Sequence, residues 1–193
     1  MKLFLLILLS LCLAASSALA GDRHDHHHHD HVDTSGVDDE VRAVKAWLSL
    51  HHRIPTRKEL EALSPNARQI VLDVAGDEET FLFHRHRALH ALVHWPDDEV
   101  FTFLVGLLHD PSTEEGMRHH LLPTLGEGFG DRAVPVLEPI LLNDEDPQIR
   151  ISAAAALAEV DSDAAIAVLR HALETEQHSV VRYRLEQFAI QLR

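Results

Sequence analysis

The strongest constraint on this chain is a repeat marked by arginines at a near-constant spacing. Arg85, Arg118, Arg150 and Arg182 follow one another at intervals of 33, 32 and 32 residues. Each arginine opens a run of small or apolar residues, as in residues 153–157. A fixed period of this length is typical of a stacked array of helical units. It therefore predicts the fold before any motif is considered, and it favours a protein that works through a surface.

The second half of each unit keeps the same period. Apolar residues three and four apart recur after 32 residues, with Val134, Leu137 and Leu141 in one unit and Ile166, Leu169 and Leu173 in the next. This spacing puts each trio on one face of a helix, so each unit is interpreted as two amphipathic helices joined by a turn. At Asp110-Pro111 and Asp146-Pro147, between units, the aspartate is predicted to cap the next helix and the proline to fit its first turn. Asp131 and Asp163, at the turn inside their units, are each predicted to cap a second helix.

The pattern resembles the HEAT-like repeat, in the short form of the phycobilisome lyase-like type. The residues that carry the resemblance begin with Asp146-Pro147-Gln148-Ile149-Arg150 and continue with Ala153, Ala154, Ala156, Leu157, Ala158, Asp163, Ala164, Ala165, Ile166, Leu169 and Leu173. The resemblance covers about residues 84–193. It implies an all-α fold, a HEAT-like α-solenoid of stacked antiparallel helix pairs. The units are predicted at residues 81–112, 113–144 and 145–175, with a terminal helix at 176–193. Members of this repeat class are mostly protein-binding scaffolds, and a few act on tetrapyrrole-carrying proteins. Because no residues match a lyase site, a phycobilin lyase-like enzyme is only a remote alternative.

Residues 37–80 do not show the period and are predicted to form a helical N-terminal cap. Residues 37–50 have the apolar spacing of an amphipathic helix. Thr56 and Glu59 form a capping-box pattern that predicts a short helix to about Leu63. Ser64-Pro65 predicts the start of another helix, which runs to about Ala75. Such a cap covers the apolar end that a stacked array would otherwise expose.

Residues 1–20 have the features of a secretory signal peptide. Lys2 supplies the positive start, and Leu3 to Leu13 is an apolar run too short to cross a membrane comfortably. The small residues Ala18 and Ala20 predict cleavage after Ala20. The expected location is the bacterial periplasm or the medium, with no membrane attachment after cleavage.

Two alternatives to cleavage and release remain open, a retained membrane anchor and a lipid anchor on Cys12. The mature chain predicted from Gly21 onward has no cysteine. Disulfides and thiolate metal sites are then excluded, and the helical core alone must hold the domain.

A disordered leader rich in histidine and aspartate is predicted at residues 21–36. It holds six candidate metal ligands, which are His24, His26, His27, His28, His29 and His31. Imidazole suits zinc, copper and nickel, but a flexible run imposes no single geometry. The leader is therefore predicted to bind divalent metal with low specificity. A hydrophilic leader without a physiological ligand is the alternative.

A second set of candidate metal ligands lies in the first repeat, at His86, His90 and His94. On one helix these residues fall in a stripe, and neighbours four apart can chelate one ion. With Ala88 and Leu89 towards the core, the stripe is expected to point outward and to be open to solvent. Three ordinary surface histidines are the alternative. The adjacent pair at 119–120 is a weaker candidate, because neighbouring side chains diverge on a helix.

The formal net charge of the chain is −14 with neutral histidines. Nucleic acid and anionic membrane surfaces are therefore not expected as partners, because both are bound by clustered Lys and Arg. Cationic partners and metal ions are favoured electrostatically, while a purely solubilising role for the charge is the alternative.

No residue pattern predicts catalysis. The serines are not set in a nucleophile elbow, and the glycine-rich residues 126–130 are interpreted as a flexible loop inside a unit. We therefore predict an exported, non-enzymatic HEAT-repeat scaffold or adaptor that requires no cofactor. It is expected to bind another protein through a surface lined by the second helices, at residues 98–109, 132–142 and 163–174. The alternative function is a periplasmic metal buffer or chaperone that binds zinc, nickel or copper through the leader.

Overall fold

A computed structural model describes residues 35–50 and 53–191 of the chain. In these residues the protein forms α-helices and no strand, which confirms the all-α prediction for this part of the chain. The helices are α1 Ser35–Leu48, α2 Arg57–Leu63, α3 Ala67–Gly76, α4 Leu82–Ala91, α5 Asp98–His109, α6 Glu115–Phe129, α7 Val134–Asn143, α8 Pro147–Val160, α9 Asp163–Thr175 and α10 Ser179–Gln191. Short 3-10 segments, Leu92–His94 and Gly130–Ala133, follow α4 and α6. None of the helices described here is long and apolar enough to cross a membrane. The predicted signal peptide, Cys12 and the six leader histidines lie outside the described residues.

The first helices of successive units, α4, α6, α8 and α10, pack against one another in chain order. Their buried residues are those that the period predicts, among them Ala88, Leu89, Leu92, Leu121, Leu122, Leu125, Ala153, Ala154, Leu157 and Leu185. Burial of each leucine contributes about 1.5–3 kcal/mol relative to exposure. Helices α6 and α8 approach each other closely at Gly126 of α6, where an added Cβ would lie 2.7 Å from the carbonyl oxygen of Ala156 in α8. Small residues therefore set the spacing between α6 and α8.

The second helices form another layer, and α3 belongs to it. Helices α5, α7 and α9 pack against the first helices, and α3 packs against α4. Val71 and Ala75 of α3 are buried and stand 33 residues before Leu104 and Leu108 of α5, which are also buried. Helix α3 therefore continues the repeat towards the N-terminus, although residues 37–80 are predicted from the sequence to lie outside the period.

The first two helices stand before this series. Helix α1 packs against α2, α3 and α4, and α2 packs against α1 and α3. The capping box of α2 forms as predicted, since the Thr56 side chain accepts from the Glu59 amide and the Glu59 side chain accepts from the Thr56 amide. Helix α1 begins at Ser35, two residues inside the segment predicted to be a disordered leader.

The repeated arginines connect neighbouring units. Arg118 donates to Asp144 at 2.7 Å, and Arg150 donates to Glu176 at 2.9 Å, with 26 residues between the partners in both pairs. Arg150 also donates to the carbonyl oxygen of Asp144 at 2.7 Å. The Arg150 and Glu176 side chains are only 13% and 11% exposed, so salt and water screen this pair weakly. Arg150 thus holds the loops on both sides of its own unit.

The inter-unit loops repeat a second feature. The acidic residue that follows each second helix accepts a hydrogen bond from the backbone N–H two residues later, at Asp77, Asp110, Asp144 and Glu176. This local bond competes with helix formation and turns the chain at the end of each unit. Asp110 therefore does not cap α6 as predicted, because it lies directly after α5 and its carboxylate is bound to Ser112.

Four other predicted boundaries can be compared with the structure. Asp146 caps α8 by accepting from the Gln148 amide at 2.8 Å, and Pro147 fits the first turn, as predicted. Helix α9 is capped by Ser162 instead of Asp163. Asp131 does not cap α7 either, because it lies inside the 3-10 segment Gly130–Ala133 and the N-cap residue of α7 is Ala133, which makes no side-chain cap hydrogen bond. The predicted loop at residues 126–130 is wrong, because α6 continues to Phe129 and only Gly130, with a φ of 52°, ends it.

Candidate functional site

A groove of about 800 Å³ lies between α3 and α5, in the layer of second helices. Its floor is apolar and is formed by Leu72, Gly76 and Phe103. The absence of a side chain at Gly76 admits the Phe103 ring, since an added Cβ would lie 3.2 Å from that ring. The polar residues of the groove are Gln69, Asp73, Asp98, Glu99 and Thr102. An apolar floor with a polar rim is the arrangement by which proteins bind an amphipathic segment.

Ion pairs hold the acidic rim of the groove in place. Arg68 of α3 donates two hydrogen bonds of 2.8 Å to Asp97 and one of 2.8 Å to Glu99. The hydrogen bonds from Arg68 are the main reason why the pKa of Asp97 lies below its ordinary value. Because Asp97 also caps α5 at the Val100 amide, these bonds connect the start of α5 to α3. The groove is therefore framed by ordered side chains.

Arg132 forms a further ion pair with the rim, at the first residue of α5. Arg132 pairs with Asp98 at 2.7 Å and lies over the Phe101 ring at 4.1 Å. Phe101 meets Phe129 edge to face, with ring centroids 5.1 Å apart. Asp98 nevertheless remains 92% exposed and accessible to a partner.

The histidines predicted as a metal stripe are divided between two places. His86 and His90 of α4 face His120 of α6, and His90 Nε2 hydrogen-bonds His120 Nδ1 at 3.0 Å. The His86 ring packs on the His120 ring with centroids 4.0 Å apart. His94 lies in the 3-10 segment after α4, and its Nε2 bonds the carbonyl oxygen of Pro55 at 2.8 Å. The change of helix type after Ala91 thus ends the stripe before its third member.

The histidines of the α4–α6 contact are half-buried, contrary to the expectation that the stripe is open to solvent. Burial is the largest cause that lowers the pKa of His86, His90 and His120 below the ordinary value, and the charges of nearby histidines lower it further. Arg85 adds to this effect at His86, and Arg87 adds to it at His90. Within the described residues the Nε2 atom of His86 is buried and makes no hydrogen bond. We therefore assign neutral rings to this cluster at pH 7.

His119 faces the opposite neighbour of α6. Its Nδ1 lies 2.9 Å from the Ser152 hydroxyl of α8, and its Nε2 lies 3.9 Å from a carboxylate oxygen of Glu115. Adjacent histidines of one helix therefore contact different helices, His120 towards α4 and His119 towards α8. The divergence that made this pair a weak candidate is what gives each ring a partner.

A repeated contact in the sequence could have revealed these partners. His86 and His119 both directly follow a repeat arginine, while His120 and Ser152 both stand two residues after one. The contacts His86–His120 and His119–Ser152 are therefore the same contact in successive units. The sequence indicates the groove less clearly. The arginine that marks each unit would fall on residue 52 in the unit that contains α3, but residue 52 is a histidine.

The layers of paired helices define an all-α helical-repeat protein. The model for HEAT repeats matches residues 112–188, from the loop before α6 into α10. Over this segment the chain is similar to HEAT repeat proteins, and the predicted HEAT-like fold is confirmed. The comparison with curated proteins gives no match.

Proposed function

We propose that the protein is an exported, non-catalytic scaffold that binds another protein in the groove between α3 and α5. The observation that carries this proposal is the groove itself, with its apolar floor and ordered acidic rim. HEAT repeats commonly serve in protein interaction, which agrees with a protein partner for the similar segment.

The charge of the groove indicates the chemistry of the partner. Asp73, Asp98 and Glu99 lie on its rim, and the whole chain carries a formal charge of −14. A partner segment with Lys or Arg beside an apolar anchor would match both the rim and the floor. The anchor would contact Leu72 and Phe103, and the cations would face the rim carboxylates. An amphipathic helix with a basic face meets these requirements.

Two labelled helical peptides test the proposed chemistry, one of Leu and Lys and the other of Leu and Glu in the same pattern. Fluorescence anisotropy should show binding of the Leu/Lys peptide and none of the Leu/Glu peptide. Thr102→Lys should weaken binding by about tenfold, which corresponds to about 1.4 kcal/mol. Equal binding of both peptides would refute the charge argument.

Thr175→Lys is a matched control for Thr102→Lys. Both threonines are exposed on second helices, and each hydroxyl donates to the carbonyl four residues earlier, at 2.8 Å for Thr102 and 3.1 Å for Thr175. Thr175 lines a different depression, beside Arg150. The control should leave peptide affinity within about twofold of the starting protein. Equal loss of affinity in both variants would show that the peptide responds to net charge and not to the groove.

Export rests on the N-terminal sequence. The positive start, the apolar run and the small residues before Gly21 support cleavage by a signal peptidase. N-terminal sequencing of the exported protein should begin at Gly21. A start before this residue would contradict the proposal.

Metal handling through the leader is the second candidate function, favoured by six histidines within ten residues, 22–31. Calorimetric titration with zinc, nickel and copper tests it when the protein is compared with a variant whose leader histidines are serines. Tight, stoichiometric binding that disappears in the variant would support metal handling. Weak metal binding that disappears in the serine variant would favour the scaffold function.

A further inference from the structure

We infer that Glu115, His119 and Asp146 form a binding site for a divalent transition-metal ion of the zinc type. One carboxylate oxygen of each acid and one ring nitrogen of His119 all lie within 4.8 Å of one another. Two of the ligands come from α6, four residues apart, and the third is the residue that caps α8. The site therefore spans the contact between two successive first helices.

The spacing on α6 brings two ligands to one side. Residues four apart are neighbours on a helix surface, and His119 Nε2 lies 3.9 Å from Glu115 Oε1. A zinc ion binds histidine nitrogen at about 2.0–2.1 Å and carboxylate oxygen at about 2.0–2.2 Å. Two ligand atoms about 3–4 Å apart can therefore share one ion with little movement of the side chains.

A hydrogen bond from outside the cluster orients the histidine. His119 Nδ1 lies 2.9 Å from the Ser152 hydroxyl. With the proton on Nδ1, this bond leaves the Nε2 lone pair towards Glu115, which is the tautomer that a metal requires. Such bonds hold the ring of a ligating histidine in most metal sites.

The backbone orients Asp146 in the same way. Its Oδ1 accepts from the Gln148 amide at 2.8 Å at the start of α8. The carboxylate is therefore held by helix geometry, and its remaining lone pairs are available to an ion.

The charges around the cluster favour a cation. The two repeat arginines near the ligands in the chain are Arg118, directly before His119, and Arg150, four residues after Asp146, and they are bound by the loop acids Asp144 and Glu176. Among the ion pairs of the described residues, the one that involves Glu115 has His119 as its partner. One divalent ion would thus compensate the charges of the two carboxylates, with the His119 ring as the third ligand. Three protein ligands leave a coordination position for water or for a side chain from a bound partner.

The histidine cluster on the other side of α6 has a different arrangement. His90 and His120 direct ring nitrogens at each other, and the His86 ring stacks on His120. His90 Nε2 and His120 Nδ1 are thus engaged in a mutual hydrogen bond, and no carboxylate from the part of the chain that the structure describes joins the three rings. The mixed nitrogen and oxygen ligands beside α8 are therefore the better site for an ion.

Zinc titration by calorimetry tests this inference in the exported protein with all six leader histidines replaced by serine. We expect one zinc ion per chain. Glu115→Gln and His119→Gln should each weaken zinc binding by about tenfold or more, and Ser152→Ala by about tenfold through loss of ring orientation. No zinc binding in the serine-substituted protein would overturn the inference, as would affinities that Glu115→Gln and His119→Gln leave unchanged.

Glu114→Gln is the matched control, because it removes the same charge from the adjacent exposed residue. It should keep zinc affinity within about twofold. Equal losses of zinc affinity in Glu114→Gln and Glu115→Gln would show that zinc responds to general negative charge, and this result would overturn the proposed site. The helical circular dichroism signal of each variant checks the fold. If His119→Gln unfolds, Glu115→Gln still tests the site, because Glu115 is exposed and its replacement should not disturb the fold. Cobalt adds a second measurement, since its visible absorption should show coordination by His119 in the starting protein and lose this signal in His119→Gln.

The site is independent of the proposed partner groove. It lies between α6 and α8, while the groove lies between α3 and α5. Zinc binding without peptide binding would refute only the groove, and the converse result would refute only the metal site.

Discussion

Replacing Gly126 by alanine should separate α6 and α8, which approach each other closely at this residue. The added Cβ would lie 2.7 Å from the carbonyl oxygen of Ala156, and that oxygen is backbone. Ordinary van der Waals contact begins at 3.4 Å, so α6 and α8 must move apart by about 0.7 Å, the difference between these distances. A side chain could rotate out of the way, whereas a helix backbone has to shift as a body.

The expected free-energy change combines two opposing effects. Insertion of a methyl group into a well-packed contact costs about 1–3 kcal/mol. Alanine in place of glycine within a helix contributes about 0.8–1 kcal/mol of stability. The overpacking term is larger here because the obstructing atom is backbone. We therefore expect Gly126→Ala to lower the free energy of unfolding by about 1–2 kcal/mol.

Gly106→Ala isolates the propensity effect. Gly106 lies inside α5 and is exposed, and an added Cβ there would meet nothing within 4 Å. This variant should gain about 0.5–1 kcal/mol. Urea unfolding followed by circular dichroism measures both variants with the same baseline. A Gly126→Ala protein as stable as Gly106→Ala would refute the argument that backbone contact, not helix propensity, requires a glycine at position 126.

Two further predictions concern charged and titratable groups. Arg150→Ala should lower the free energy of unfolding by about 3 kcal/mol, because it leaves the largely buried Glu176 without its partner. Arg42→Ala, which removes an exposed ion pair, should change the free energy of unfolding by less than about 0.5 kcal/mol. Urea unfolding of both variants measures this difference, and equal effects would contradict the prediction. The protein should also lose stability as the pH falls below about 6.5, because the lowered pKa values of His86, His90 and His120 mean that the unfolded chain binds protons that the folded chain does not. The contribution is complete above the unfolded pKa and is lost as the pH falls towards the folded values, so unfolding midpoints between about pH 7.5 and 5.5 should decline less steeply in His120→Gln. An unchanged slope in that variant would show that other groups cause the decline.

The period was sufficient to predict the paired helices, because the same burial recurs in each unit. Leu104 and Leu137 stand 33 residues apart and are both buried. The Asp146 cap was equally accessible to sequence reasoning, since it depends on residues within one turn. Helix α3 is not predicted to belong to the repeat because the arginine that marks each unit does not extend to the unit of α3. Its buried apolar residues nevertheless keep the 33-residue spacing to those of α5.

The contacts of the candidate sites depend on neighbours that a single helix does not reveal. On an isolated helix His119 and His120 simply diverge, and only the packing of α6 between α4 and α8 gives each of them a partner. Gly126 shows the same limit. Its low helix propensity argues for a loop, whereas close packing against Ala156 gives a reason for glycine inside a helix. At Gly126 the local helix propensity favours a loop, whereas packing between helices favours glycine inside a helix.

The ion pairs of the repeat arginines also determine how the number of repeat units can change. Arg118 and Arg150 each bind an acid 26 residues ahead and stand 32 residues apart. Deletion of residues 119–150 would therefore put Glu176 at the position relative to Arg118 that Asp144 now has. Loss or duplication of one whole period keeps a counter-ion for each internal arginine, whereas an insertion of a few residues between an arginine and its acid displaces that pair. The number of units is thus a property that can vary without redesign of the links between them.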